Sequence, residues 1–292
     1  MTWFFVALLS SFLSAFAAIS QKKVLFKLNP VEFSFHLSVV NLVFAVPFFF
    51  FVNYETINSY NLFILFIKSV LGVLAFLCVM TALKNLQISN ALPLLALTPG
   101  LVAVFAYFFL GESLKTFEVI GLISLIVGTY ILESKSLKEI FFPLNVFLKS
   151  KYHHYILAAL LLFTASSVMD KFLLVKLNFT PISLTAFQHL YFAFLFLIIY
   201  LISEKKFDKS KIFANKKDYL WIALISVLTL GYRFTQVVSI SMSSVALTLA
   251  VKRTSVLWAT IIGGKIFKDS NLVKKIIAVL FILLGAILIL RD

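Results

Sequence analysis

Phe26-Lys27-Leu28-Asn29 followed by Pro30 ends one long apolar run, and Val175-Lys176-Leu177-Asn178 followed by Pro181 ends another about 150 residues later. Two further correspondences continue in the same order. Leu110-Gly111-Glu112 and Gly263-Gly264-Lys265 each follow the fourth apolar run of a set of five. Gly128 with Tyr130 to Leu132, and Gly285 with Ile287 to Ile289, fall in the fifth. Each match is short, but their common order registers two five-run halves against each other, the mark of an internal duplication.

The runs cover 2–20, 31–52, 62–83, 88–110, 116–132, 155–176, 182–202, 219–239, 244–263 and 273–290, bounded by charged or turn-forming residues. Each approaches the roughly 20 residues needed to cross a hydrocarbon core of about 30 Å. Backbone groups in lipid find no water, so spanning segments close their hydrogen bonds internally. The alternation of a barrel strand is absent, and the runs read as helices. The expected fold is all-α and membrane-integral, with ten transmembrane helices in two inverted five-helix repeats. Residues 1–133 form the first repeat, 134–154 the connection and 155–292 the second. An odd number of spans per half sets the second half in the opposite orientation, the usual plan of a secondary transporter.

Composition agrees. Hydrophobic residues make up 62% of the 292 residues, and Asp, Glu, Lys and Arg only 13%, about half the charged quarter of a soluble domain. A soluble protein of this composition would lack polar groups to cover its surface. The formal net charge is +14, but most Lys and Arg lie between apolar runs, where they set topology and meet anionic headgroups, so no nucleic-acid partner is implied. Cys78 is the single cysteine; it forms no intramolecular disulfide or thiolate metal site and reads as a small buried hydrophobe. Met1 to Ala18 lack a basic n-region, and Ser20-Gln21-Lys22-Lys23 offers no small-residue cleavage site, so this stretch reads as a retained first span.

The chain resembles the drug/metabolite transporter superfamily, and within it the EamA-type ten-helix carriers, over nearly its whole length. The resemblance rests on the duplication, on Thr98-Pro99-Gly100 leading to Phe108-Phe109-Leu110-Gly111-Glu112, and on Gly121 to Gly128. In the second half it rests on Val251-Lys252-Arg253-Thr254-Ser255 running into Gly263-Gly264-Lys265. Here the sequence departs from the commoner pattern, which often has Pro in place of Lys252 and Glu in place of Lys265. The Lys-Arg version looks like one bacterial and archaeal subgroup in which Asp170-Lys171 also has a counterpart. The resemblance implies a multi-pass protein of the cytoplasmic membrane, with a central cavity lined by helices 1, 3, 4, 6, 8 and 9. It does not select among the amino acids, amines, nucleotide sugars and other metabolites such carriers move, because fold does not fix function.

An ionisable group deep in a spanning helix costs about 2.5–3.5 kcal/mol on insertion scales, so it is expected to face the bundle interior or a wet cavity. Lys252 and Arg253 stand near the middle of the ninth run, too deep for both to snorkel. They either attract an anionic group, which Arg engages bidentately, or form fixed ion pairs. Arg233 shares a face with Gln236 and Ile240, with Tyr232 beside it. It is either a second cationic wall or a partner of Asp170. Asp170, the one carboxylate placed well inside a helix, is the candidate proton carrier if transport is proton-coupled, or else a permanent counter-ion. His36 and His189 fall at similar places in the second and seventh runs and read as single hydrogen bonders. Pro93, Pro99 and Gly100 interrupt the fourth run, as kinks or as a broken helix lining a site, with Asn90 and Thr98 adding polar contacts. Thr254 and Trp258 offer a hydroxyl and a stacking face on the ninth.

Zinc-protease helices, nucleophile elbows and phosphate-cradling loops are missing, so no enzyme is expected. No cofactor or metal is implied. The expected partners are a small-molecule substrate and membrane lipid, with homodimerisation left open. The expected function is secondary transport of a small polar metabolite, carboxylate-bearing as an amino acid is, by alternating access. The alternatives are a phosphorylated-metabolite exchanger and a non-transporting membrane scaffold or sensor. The Lys/Arg loop bias puts both termini outside the cell, whereas the resemblance implies both inside; reporter fusions at Asp292 separate the two.

Overall fold

The computed structural model describes residues 2–86, 95, 98–111, 115–133, 150–203, 216–267 and 272–289, and their regular structure is helical. The helices are α1 (Thr2–Leu25), α2 (Pro30–Phe49), α3 (Ser59–Asn85), α4 (Thr98–Leu110), α5 (Thr116–Glu133), α6 (Lys151–Lys171), α7 (Pro181–Ser203), α8 (Lys216–Met242), α9 (Val245–Arg253), α10 (Ser255–Ile266) and α11 (Leu272–Ile289). Among the described residues, seven helical stretches are long and apolar enough to cross a membrane: Thr2–Leu25, Pro30–Phe49, Ser59–Asn85, Lys151–Lys176, Pro181–Ser203, Tyr219–Met242 and Val245–Ile266. Large apolar side chains such as Phe5, Phe63, Leu161, Phe194 and Leu201 stay exposed on them, while Ser10, Ser11, Ser34, Ser69 and Ser183 are fully buried. This distribution inverts that of a soluble protein and suits a lipid solvent.

The duplication is visible in the packing. α1 packs on α8 and α3 on α6, while α2 packs on α7, α4 on α9 and α5 on α11. Exchanging the halves converts the first contact into the second and returns each of the other three to itself. The α5–α11 contact carries the symmetry down to single atoms. A Cβ at Gly128 would lie 2.9 Å from the Ala278 carbonyl oxygen and from the Ile282 nitrogen. A Cβ at Gly285 would lie 2.7 Å from the Gly121 carbonyl oxygen and 2.9 Å from the Leu125 nitrogen. Without a hydrophobic drive between helices in lipid, such close backbone approach is what holds a pair together. Because the clash is with backbone, Gly128→Ala or Gly285→Ala should cost about 1–3 kcal/mol. A fall in apparent Tm in detergent checks this.

Two lysines tie the halves internally in matching ways. Lys22 of α1 donates to the carbonyls of Leu83 and Leu86, the latter at 2.8 Å. Lys171 of α6 donates to those of Ile240 and Ser243 at 3.0 and 2.6 Å. Each ammonium therefore satisfies carbonyls that the end of a helix leaves unpaired, where the helix dipole also favours a cation.

Sequence and structure differ at several boundaries. Asn58 caps α3 by accepting from the Asn61 amide at 2.8 Å, so this helix starts at Ser59 and not at 62. α6 starts at Lys151, inside the expected connection. The single ninth helix expected over 244–263 is two. The Thr254 hydroxyl donates back to the Val251 carbonyl at 2.7 Å, and the Thr254 amide bonds the same carbonyl at 3.1 Å. That tightened turn ends α9 directly after Lys252-Arg253. Pro99 is the second residue of α4 as described. Pro93 and Asn90 lie outside the described residues.

Candidate functional site

A cavity of about 170 Å³ lies between the halves. α1, α3, α6, α8 and α9 contribute to it together with Leu95, and so do α2 and α7, which were not expected to. Among the described residues its lining holds four cations, Lys68, Arg233, Lys252 and Arg253, and one carboxylate, Asp170, a formal excess of three positive charges.

The acid is fully engaged. Asp170 is 1% exposed. Arg233 donates from Nη2 to both carboxylate oxygens at 2.7 Å, and Lys68 Nζ stands 3.0 Å from Oδ1. Gln188 completes the cluster. Its Oε1 accepts from Lys68 Nζ at 2.5 Å, from Arg233 Nε at 2.9 Å and from Arg233 Nη2 at 2.7 Å. Four helices, α3, α6, α7 and α8, are thus joined through one carboxylate and one amide oxygen. Buried charges demand this degree of satisfaction, since an unpaired one costs several kcal/mol.

Lys252 and Arg253 are differently placed. They form the last turn of α9, where the carbonyl end of the helix dipole favours positive charge. Lys252 Nζ donates to Gln236 Oε1 at 2.5 Å and sits 4.7 Å from the Tyr232 ring centroid. Arg253 Nη2 donates to Thr98 Oγ1 at 2.8 Å, and its Nε is buried without a partner among the described residues. Their partners there are neutral: an amide, a phenol ring and a hydroxyl. Two neighbouring cations in a cavity, held by neutral groups, can take up one anionic group through charge-assisted hydrogen bonds.

The structure thus brings Lys252, Arg253, Arg233, Tyr232, Gln236 and Asp170 to one cavity, and Thr98 joins them through Arg253. Thr254 and Trp258 are directed elsewhere. The Thr254 hydroxyl is spent on Val251 and on Ser11 Oγ at 2.7 Å, and Trp258 stacks on Phe12 with centroids 4.8 Å apart. His36 lies among Phe35, Tyr200 and Tyr219, whereas His189 lines the cavity.

Sequence reasoning missed Lys68, Gln188 and a polar stripe on α2. Lys68 carried the same signal as Lys252, a lysine inside an apolar run. The stripe is Ser34, Ser38 and Asn41, spaced i, i+4 and i+7 on one helix face, and all three are buried and line the cavity. Among the described residues no group of three or more His, Cys, Asp or Glu could hold a metal ion.

The EamA-like transporter family model matches residues 1–134 and again residues 151–291. A solved structure titled only "Crystal structure of protein" shares the fold, with a TM-score of 0.72 at 15% identity, over 98% of this chain and 94% of that one. No curated protein gives a match.

Proposed function

Because the chain belongs to the EamA-like transporter family, one of multi-pass membrane transporters and not of enzymes, we propose that it is a secondary carrier of a small, polar, carboxylate-bearing metabolite. The observation that carries this reading is the pair Lys252 and Arg253, held in the cavity by neutral partners while Asp170 is taken up by Arg233 and Lys68. Asp170 acts here as the counter-ion that fixes the cluster, and the anion of the substrate docks on α9. Each half is read as five spans, ten in all, which sets the halves in opposite orientations across the bilayer. The packing that maps onto itself when the halves are exchanged supports this plan, and alternating access follows as a rocking of one half against the other about the cavity.

A thermal-shift screen of the purified protein against amino acids, organic acids, phosphorylated metabolites, amines and nucleotides tests the reading, because a ligand that binds only the folded state raises apparent stability. Stabilisation by carboxylates, lost in Lys252→Ala, is expected. Stabilisation confined to phosphorylated compounds would replace the carboxylate with a phosphate at the same cations. A blank screen would favour a scaffold that carries nothing, and stabilisation that survives Lys252→Ala would make that lysine structural.

A further inference from the structure

Opposite in character to the cations of α9 is the wall formed by α2 and α7, which pack on each other. Ser34 and Asn41 of α2 are 0% and 5% exposed, His189 of α7 is 3% exposed, and all three line the cavity. Ser34 Oγ, Asn41 Oδ1 and both ring nitrogens of His189 are buried without a hydrogen-bond partner among the described residues. Buried polar atoms are nearly always paired in folded proteins, and each such group calls for an explanation. Here four such atoms belong to one wall of one cavity. A hydroxyl both donates and accepts, an amide oxygen accepts, and a neutral imidazole offers one donor and one acceptor. The wall therefore suits a group that itself donates and accepts.

It does not suit an ammonium. A substrate amine wants a carboxylate, and the one among the described lining residues, Asp170, already accepts from Arg233 through both oxygens and pairs with Lys68. The rest of the charge on the described lining residues is cationic. About 170 Å³ is of the order of a cavity that holds a benzene, so there is room for a compact molecule.

We propose that Ser34, Asn41 and His189 form a second subsite for a neutral hydroxyl or amide group, so that the carried molecule is a compact hydroxy acid or amide acid and not an amino acid. This rests on the anion-binding reading of Lys252 and Arg253 and narrows it.

The test compares matched compounds on the purified full chain by isothermal titration: glycerate, serine and propanoate, which share a three-carbon acid skeleton, together with uncharged glycerol. Glycerate is expected to bind at least about tenfold more tightly than propanoate, which leaves the hydroxyl-binding groups unpaired, and than serine, whose ammonium replaces the second hydroxyl and finds Asp170 already taken by Arg233 and Lys68. Asn41→Leu should abolish the preference for glycerate over propanoate while leaving propanoate binding within about twofold, an effect that loss of folding cannot imitate. Serine binding as tightly as glycerate, or a preference that persists in Asn41→Leu, overturns the subsite and leaves the anion site standing. Glycerol binding as tightly as glycerate shows that the carboxylate adds nothing and overturns the anion site together with the hydroxy-acid assignment that rests on it; binding by none of the four overturns both sites.

Discussion

Asp170→Asn is expected to destabilise the protein by about 3–5 kcal/mol, the cost of removing one partner from a buried ion pair. The carboxylate is the common acceptor for Arg233 and Lys68, and those side chains are 11% and 1% exposed. With Asn there, two cations face each other across neutral amide oxygens alone, and the new amide N–H2 is set against donors. Lys68→Met should cost less, because the two bonds from Arg233 to Asp170 remain and one surplus cation is removed. Lys68→Met combined with Asp170→Leu and Arg233→Met should recover much of the loss, since a buried ionic cluster replaced by apolar groups of similar volume is often neutral or stabilising. Apparent Tm in detergent, followed by monodispersity on size exclusion, gives all three numbers. If Asp170→Asn melts with the parent protein, the cluster is not what holds α3, α6, α7 and α8 together.

The double variant Lys252→Ala with Arg253→Ala should lose anion affinity about a hundredfold or more. A hydrogen bond to a charged group contributes about 1.5–3 kcal/mol, so a single removal corresponds to roughly 10- to 150-fold in Kd. The two residues are adjacent and would share one anion, so their effects are not expected to add. Stability should change little or rise, because two buried cations with neutral partners leave together. That combination, lost binding with retained melting behaviour, distinguishes a docking pair from a structural one. It is read by titrating a bound carboxylate in parent, single and double variants; a double variant within threefold of the parent would show that the anion docks elsewhere.

Much of the architecture was legible because lipid makes a simple demand: runs of apolar residues must be helices, and their order betrays a duplication. The same demand exposed Lys252, Arg253, Arg233 and Asp170. It should have exposed Lys68. The sequence reading passed it over, although it stands six residues into the run expected from 62. The Asn58 cap moves the start to Ser59, and at 1.5 Å per residue Lys68 then lies about 14 Å along the helix, close to the middle of a bilayer. Other features were beyond a residue pattern. Asn29 and Asn178 match in sequence, yet Asn29 caps α2 through its side chain, while Asn178 takes a φ of 51° after the π-turn that ends α6. His36 and His189 match too, and only His189 lines the cavity. Which face a helix turns inward depends on where the helix begins and on its neighbours, and a two-residue shift there changes a residue's surroundings completely.

The packing of the halves on each other also says why the chain is one polypeptide and not a pair of identical short ones. The lining residues of the second half include Asp170, Arg233, Lys252 and Arg253, whereas those of the first include one charge, Lys68, beside serines and amides. Two copies of the second half, docked about the same axis, would confront six cations with two acids. Two copies of the first would set two lysines against each other with no acid among the described lining residues. Each half supplies what the other has given up, so a cut between them should yield fragments that assemble with each other and not with themselves.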